Sequence, residues 1–394
     1  MIYFDNAATT FEKPPSVYKT VYDAMVKYGA NAGRGGHDLS VKAGDMIYEA
    51  REAVCRLFRI QNIERLVFCQ NTTQALNTGM KGVLKKGDHV VISCMEHNSV
   101  LRPVAELQKR GIITYSVVKG NEKGEIPLSA VRMAIRPNTK LVVFTHASNV
   151  CGNVYDIKAI AKLAHDNGAL FMADAAQSAG ILDVDANDVD LLAFPGHKGL
   201  MGPQGTGGLY IREGLNLNTI MEGGTGSASE LIYQPDIMPD RFESGTQNMP
   251  AIAGLGEGVK FILKEGVDAI RAHEMDLTKY FLDEIQNIPK ITIYGTDNLS
   301  GRVGVVALNI DGEDCVDVAN ELNTLYGIAT RGGLHCSALA HETLGTLEKG
   351  CIRFSFGYFN KRKEVDKAVL ALLKIANREQ FYQFYAQGTM YPRI

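Results

Sequence analysis

The sequence has no tryptophan, no C-x-x-C pair, no apolar run of membrane-spanning length and almost no charge imbalance. The missing tryptophan carries no conclusion. The seven cysteines, Cys55, Cys69, Cys94, Cys151, Cys315, Cys336 and Cys351, are scattered and odd in number. That pattern argues against a disulfide framework and against a structural zinc site. Several lie in apolar, strand-like runs such as Leu66-Val67-Phe68-Cys69 and read as buried. With 41 basic and 44 acidic residues the net charge is −3, so no broad basic surface for nucleic acid is expected. No membrane span is expected either. Met1-Ile2-Tyr3-Phe4-Asp5 lacks a basic segment followed by an apolar one. No signal peptide is therefore expected, and a cytoplasmic location is the default. There is no internal repeat and no low-complexity tract.

What is present reads as a soluble α/β protein. Apolar content is 45% and charged content 22% over 394 residues, a length that favours two domains. Val90-Val91-Ile92, Ile113 to Val118 and Leu141 to Phe144 read as strands; Thr73 to Leu84, Val100 to Arg110 and Ile157 to Asn167 read as helices. This alternation predicts a mostly parallel sheet covered on both faces. Pro250 to Asn287 reads as one long helix, weakened locally by Gly254, Gly256, Gly258 and Gly266. A second, smaller pattern follows: strand Gly304 to Ile310, helix Asp314 to Leu325, strand Cys351 to Phe356 and helix Lys363 to Ala376. The expected division is a segment 1–16 packing on the small domain, a large domain 17–260 and a small domain 261–394. The aromatic tail Phe381 to Tyr385 is expected to pack on the body rather than bind a partner.

The most informative residues are Gly196-His197-Lys198 and, upstream, Asp174-Ala175-Ala176-Gln177. Each group follows a short apolar run, Val189 to Phe194 and Ala169 to Ala173. In an open α/β sheet, ligands bind beyond the strand C-termini. A lysine beside a histidine there, with an acid on a neighbouring strand end, suits pyridoxal phosphate. The lysine would tether the coenzyme and ionised Asp174 would keep the pyridine nitrogen protonated. Cys69 to Leu76 reads as strand, tight turn and helix start, so Thr72 and Thr73 suit a phosphate, with His197 and Thr246 as further contacts. His97, in the turn Met95 to Ser99, can stack on a flat ring and carry protons. Asn149 and Gln177 can hydrogen-bond a ring hydroxyl or close turns.

Matching stretches run almost end to end: Phe4 to Thr10, Glu96 to Ser99, Ser148 to Val150, Asp174 to Gln177, Gly196 to Lys198, Gly202 to Gly205 and Phe242 to Thr246. On these the chain resembles fold-type I pyridoxal-phosphate enzymes of the class V aminotransferase group, and more narrowly the cysteine desulfurases with a short active-site loop. The resemblance implies a seven-stranded-type, mostly parallel sheet with a smaller C-terminal α/β domain. It implies that Lys198 holds the coenzyme, His97 stacks on it and Asp174 pairs with its nitrogen. Gln177 and Asn149 approach its ring oxygen, and Thr73 and His197 hold its phosphate. It also implies a homodimer, with Thr246 reaching the site of the neighbour. One position departs: the family usually has serine two residues before His197, and here it is Pro195. The coenzyme is still expected to bind.

Thr330-Arg331-Gly332-Gly333-Leu334-His335-Cys336-Ser337 reads as a Gly-rich polar loop. Its cysteine resembles the desulfurase nucleophile, where the family usually has two histidines and this chain has Leu334 and His335. Arg331 or a protonated His335 is expected to favour the thiolate. Arg353 matches the residue that grips the substrate α-carboxylate, with Arg331, Asn149 and Ala8 as further substrate contacts. The implied reaction takes sulfur from L-cysteine onto Cys336, giving alanine and a persulfide that passes to an acceptor protein thiol. The alternatives are a selenocysteine lyase, a class V aminotransferase or lyase on another amino acid, and a non-catalytic coenzyme-binding scaffold.

Overall fold

A computed structural model describes residues 1–32 and 35–378; the aromatic tail Phe381 to Tyr385 lies outside the described residues. The larger sheet has seven strands. In spatial order they are Leu66–Cys69, Gly207–Ile211, Leu191–Pro195, Leu170–Asp174, Thr139–Thr145, His89–Ser93 and Thr114–Val118. All run parallel except Gly207–Ile211, which pairs antiparallel with both neighbours. Leu191–Pro195 is buried along its whole length and Thr139–Thr145 at every residue but Lys140, as near-continuous apolar runs require when helices cover both faces. Among the described residues no helix is long and apolar enough to cross a membrane.

The single helix expected over Pro250 to Asn287 is two helices, Met249–Glu265 and Val267–Ile285. They break at Gly266, whose φ of 89° lies where a side chain with a Cβ is strained. The glycines before it are not breakers. A Cβ on Gly258 would come within 2.3 Å of the Leu200 carbonyl, so a bare backbone there lets the helix pack on the turn that follows Lys198. Ile262 and Ile270 join the core of the large sheet, whereas Leu277 and Phe281 join the second core. The chain therefore changes core within the second helix, past the expected residue 260.

The second sheet is antiparallel, in the order Arg331–Gly333, Cys351–Ser355, Val305–Ile310 and Ile291–Tyr294. Arg331–Gly333, read from the sequence as loop, is its edge strand; three residues, two of them glycine, are too short a run for strand periodicity to register. Arg331 lies directly opposite Arg353. At the start of the chain, Ile2–Tyr3 pairs in parallel with Ile328–Ala329, and Phe4 packs against Phe354 and Phe356.

Candidate active site

Strands of the large sheet deliver their C-terminal ends to one cavity of about 220 Å³. Asp174 ends one strand, Gly196-His197-Lys198 follows a second, and Thr72 and Thr73 begin the helix after a third. Of the residues singled out by sequence, Ala8, Thr72, Thr73, His97, Asn149 and Asp174 line the cavity. So do Gln177, His197, Lys198, Arg331, Cys336 and Arg353. Thr246 does not; it is exposed in the loop before the helix Met249–Glu265. Pro195 also lines the cavity, where the family usually offers a serine hydroxyl.

One end of the cavity is built for an anion. The helix Thr72–Val83 opens there, and the Asn71 side chain caps it by accepting from Gln74 N at 2.9 Å. Thr73 Oγ1 lies 2.7 Å from Ser99 Oγ, which lies 2.9 Å from His97 Nδ1. Ser99 N also donates to His97 Nδ1 at 3.1 Å. A backbone N–H can only donate, so the neutral ring carries its proton on Nε2. Burial, with Lys198 next in weight, pushes His97 down to about 4. On the other side His197 Nδ1 lies 3.0 Å from Thr9 Oγ1. Ser99 and Thr9 were not assigned roles by sequence; Ser99 lies in the matched stretch around His97, where its polar side chain was the only signal.

Asp174 is buried, and its Oδ1 accepts from Ala176 N at 2.9 Å. Burial raises its carboxyl to about 6, opposed by that N–H and by Lys198. Lys198 is lowered to about 8, by burial first and then by Arg353, with Asp174 pulling the other way. Arg353 is buried and donates through Nη1 to the Asn149 carbonyl at 2.9 Å and through Nη2 to Asp5 Oδ1 at 2.8 Å. Its buried Nε has no hydrogen-bond partner among the described residues. A guanidinium that lines a cavity with a donor unspent is suited to an anionic ligand.

Cys336 is exposed, and its Sγ lies 3.9 Å from Arg331 Nη2. The turn that carries it is pinned. Asn98 N donates to the Cys336 carbonyl at 2.8 Å, and Asn149 Nδ2 donates to the His335 carbonyl at 2.8 Å. The expected protonated His335 is absent. Its ring is buried behind the turn, with Nε2 3.1 Å from the Arg331 carbonyl, and burial pushes it down to about 2. It is neutral, and the cation beside Cys336 is Arg331. Asn149 and Gln177, expected at a ring oxygen, bond to the protein here: Gln177 Nε2 donates to the Ala7 carbonyl at 2.9 Å, Asn149 Nδ2 donates to the His335 carbonyl at 2.8 Å, and Asn149 Oδ1 accepts from Ser337 Oγ at 2.8 Å.

The family model for class V aminotransferases matches residues 2–368. The chain belongs to the class V aminotransferase family. Among its relatives is a probable cysteine desulfurase of Methanothermobacter thermautotrophicus, 36% identical over 383 residues, covering 95% of this chain and 94% of the relative. Another, of Pyrococcus abyssi and bearing the same name, is 35% identical over 375 residues, covering 93% and 92%. The fold is similar to the apo cysteine desulfurase of Thermococcus onnurineus NA1, with a TM-score of 0.90 and 34% identity over 96% of this chain and 95% of that one. It is also similar to the Escherichia coli cysteine desulfurase CsdA in its S-sulfonic acid form, with a TM-score of 0.85 and 25% identity over 96% and 94%.

Class V aminotransferases are pyridoxal-phosphate enzymes, and this cavity fits that group. It offers a lysine amine that is partly neutral near pH 8, a buried carboxylate for a pyridinium nitrogen and a helix N-terminus for a phosphate.

Proposed function

We propose that this chain is a pyridoxal-phosphate-dependent cysteine desulfurase. The reading rests on one observation: the Cys336 thiol and the Lys198 amine line a single cavity. The names and near-full-length coverage of its relatives support the same activity.

Lys198 would tether the coenzyme and Asp174 would pair with its nitrogen. Thr72, Thr73 and His197 would hold its phosphate and His97 would face its ring, while Pro195 offers no hydroxyl to the phosphate. When bound, the coenzyme supplies an electron sink for charge at the substrate α-carbon. The neutral Lys198 amine takes and returns the proton there. Arg353 grips the substrate carboxylate through a guanidinium face not spent on Asp5. The Cys336 thiolate, whose Sγ lies 3.9 Å from Arg331 Nη2, attacks the substrate sulfur. The new S–S bond forms as the C–S bond breaks. The C–S electron pair stays with the carbon fragment, which takes up a proton and leaves as alanine. His97 is the proposed proton carrier for that step; Nε2 is the nitrogen that bears its hydrogen. An acceptor thiol then removes the terminal sulfur from the persulfide.

A homodimer in which Thr246 completes the neighbouring site suits that residue's exposure outside the cavity of its own chain. Seven unpaired cysteines suit a reducing, cytoplasmic compartment. The test is Cys336→Ser, assayed for alanine and sulfide with cysteine and a reductant. Both products are expected to disappear while coenzyme absorbance is retained. Turnover at the wild-type rate would overturn the assignment. The same assay with selenocysteine separates the lyase alternative, because a selenol leaves without needing the protein thiol.

A further inference from the structure

Cys336 and His335 both adopt left-handed backbone conformations, with φ of 58° and 50°. Two adjacent residues with a Cβ rarely do so unless their surroundings hold them there. The Asn98 backbone N–H and the Asn149 side-chain amide fix the two carbonyls. The side chain that anchors the turn is His335, buried behind it.

His335 Nδ1 lies 3.3 Å from His341 Nε2. The two rings are nearly coplanar, at 14°, with centroids 5.5 Å apart, so they meet edge to edge, nitrogen to nitrogen. Protons can be assigned along this contact. The Arg331 carbonyl only accepts, so His335 Nε2, at 3.1 Å, carries a hydrogen. A neutral His335 then offers a lone pair at Nδ1, and His341 Nε2 donates to it. His341 Nδ1 in turn accepts from the Thr346 hydroxyl, 2.8 Å away and closer than that hydroxyl's 3.4 Å approach to the His341 carbonyl. The outcome is one directed chain from Thr346 through His341 and His335 to the Arg331 carbonyl. Burial holds both rings neutral, as this chain requires. Its last acceptor belongs to the residue whose guanidinium stands 3.9 Å from the Cys336 sulfur.

We propose that His341, acting through His335, is a positioning residue that holds the Cys336 turn in its left-handed form and keeps the thiol and Arg331 facing the cavity. The proposal rests on Cys336 being the nucleophile, but its main readout does not need turnover.

The holoenzyme carries the test, with His341→Leu, which cannot donate, and His341→Gln, whose amide nitrogen can. His341→Leu is expected to lower kcat about tenfold or more and to change the rate of Cys336 alkylation by iodoacetamide about threefold or more, with KM and coenzyme absorbance unchanged. His341→Gln is expected to recover most of both. Thr346→Val against Thr346→Ser repeats the comparison at the far end of the chain and serves if His341→Leu does not fold. Unchanged alkylation and kcat in folded His341→Leu would overturn the proposal. So would a parallel loss of kcat, KM and absorbance, which marks general disruption. Cys351 Sγ lies 3.8 Å from His335 Nδ1, and the three donors lie within 4.8 Å of one another. One zinc per chain in the wild type, lost in His341→Leu, would also overturn it, by making the trio a metal centre. Should Cys336→Ser keep full turnover while alkylation still tracks His341, the desulfurase reading fails and the positioning role stands.

Discussion

Asp5 Oδ1 accepts a 2.8 Å hydrogen bond from Arg353 Nη2, so the arginine expected to grip a substrate carboxylate already holds one from the start of its own chain. The pairing follows from the fold: Asp5 bridges Ser355, two residues beyond Arg353. It answers how a guanidinium 2% exposed within an apolar strand is tolerated.

Removing that partner separates two effects. Asp5→Ala leaves a buried charge unpaired and is expected to destabilise the protein by about 3 kcal/mol, read from denaturant midpoints. Asp5→Asn keeps an acceptor and removes a competing negative charge. It is expected to bind a carboxylate ligand such as alanine about threefold more tightly, read by spectral titration of the holoenzyme. Weaker binding would mean that Asp5 orients Arg353 rather than competing for it.

Lys198, the proposed tether, is expected to set a pH dependence for coenzyme capture. Only a neutral amine attacks an aldehyde, and burial lowers this amine to about 8. Uptake of pyridoxal phosphate by the apoprotein is expected to accelerate about tenfold per pH unit below that value and to level off above it. The same shift makes the apoprotein gain stability as pH rises between the folded value and the unfolded one, because the unfolded chain binds the extra proton there. A rate of uptake that is flat from pH 6 to pH 9 would contradict the shift. Borohydride treatment is expected to fix the coenzyme to the wild-type peptide and not to Lys198→Ala.

Glu274 sets an opposite slope. It is buried, and its carboxyl rises from 4.5 to about 8, with the Tyr358 backbone N–H opposing the effect of burial. The folded state keeps the proton that the unfolded chain releases. Stability from this group is therefore full below pH 4.5 and is lost as pH rises through about 8. Glu274→Gln keeps an acceptor for that N–H and cannot ionise. It is expected to match the wild type near pH 5 and to exceed it by about 2 kcal/mol at pH 8.5, compared by denaturant midpoints. Equal midpoints at both pH values would show that Glu274 ionises freely. Glu96, also raised to about 8 by burial, keeps part of the slope in the variant.

Much of the site was legible because chemistry follows strand ends. Asp174, Lys198 and Thr73 each sit just past an apolar run, and such runs deliver their C-terminal ends to one edge of a parallel sheet. The break at Gly266 was not legible: a glycine inside a helical pattern reads the same whether it packs closely, as Gly258 does, or turns the chain. Asp5 lies in a matched stretch, yet nothing local says that it meets a residue 348 positions away.

By itself, the sequence determined the α/β architecture, the types of residue that line the cavity and a cysteine in the second half of the chain, because periodicity and residue chemistry are local properties. The tertiary structure alone decided which groups carry charge. His335 is neutral and Arg331 is the cation beside Cys336, because desolvation and pairing depend on atoms brought in from other strands and turns.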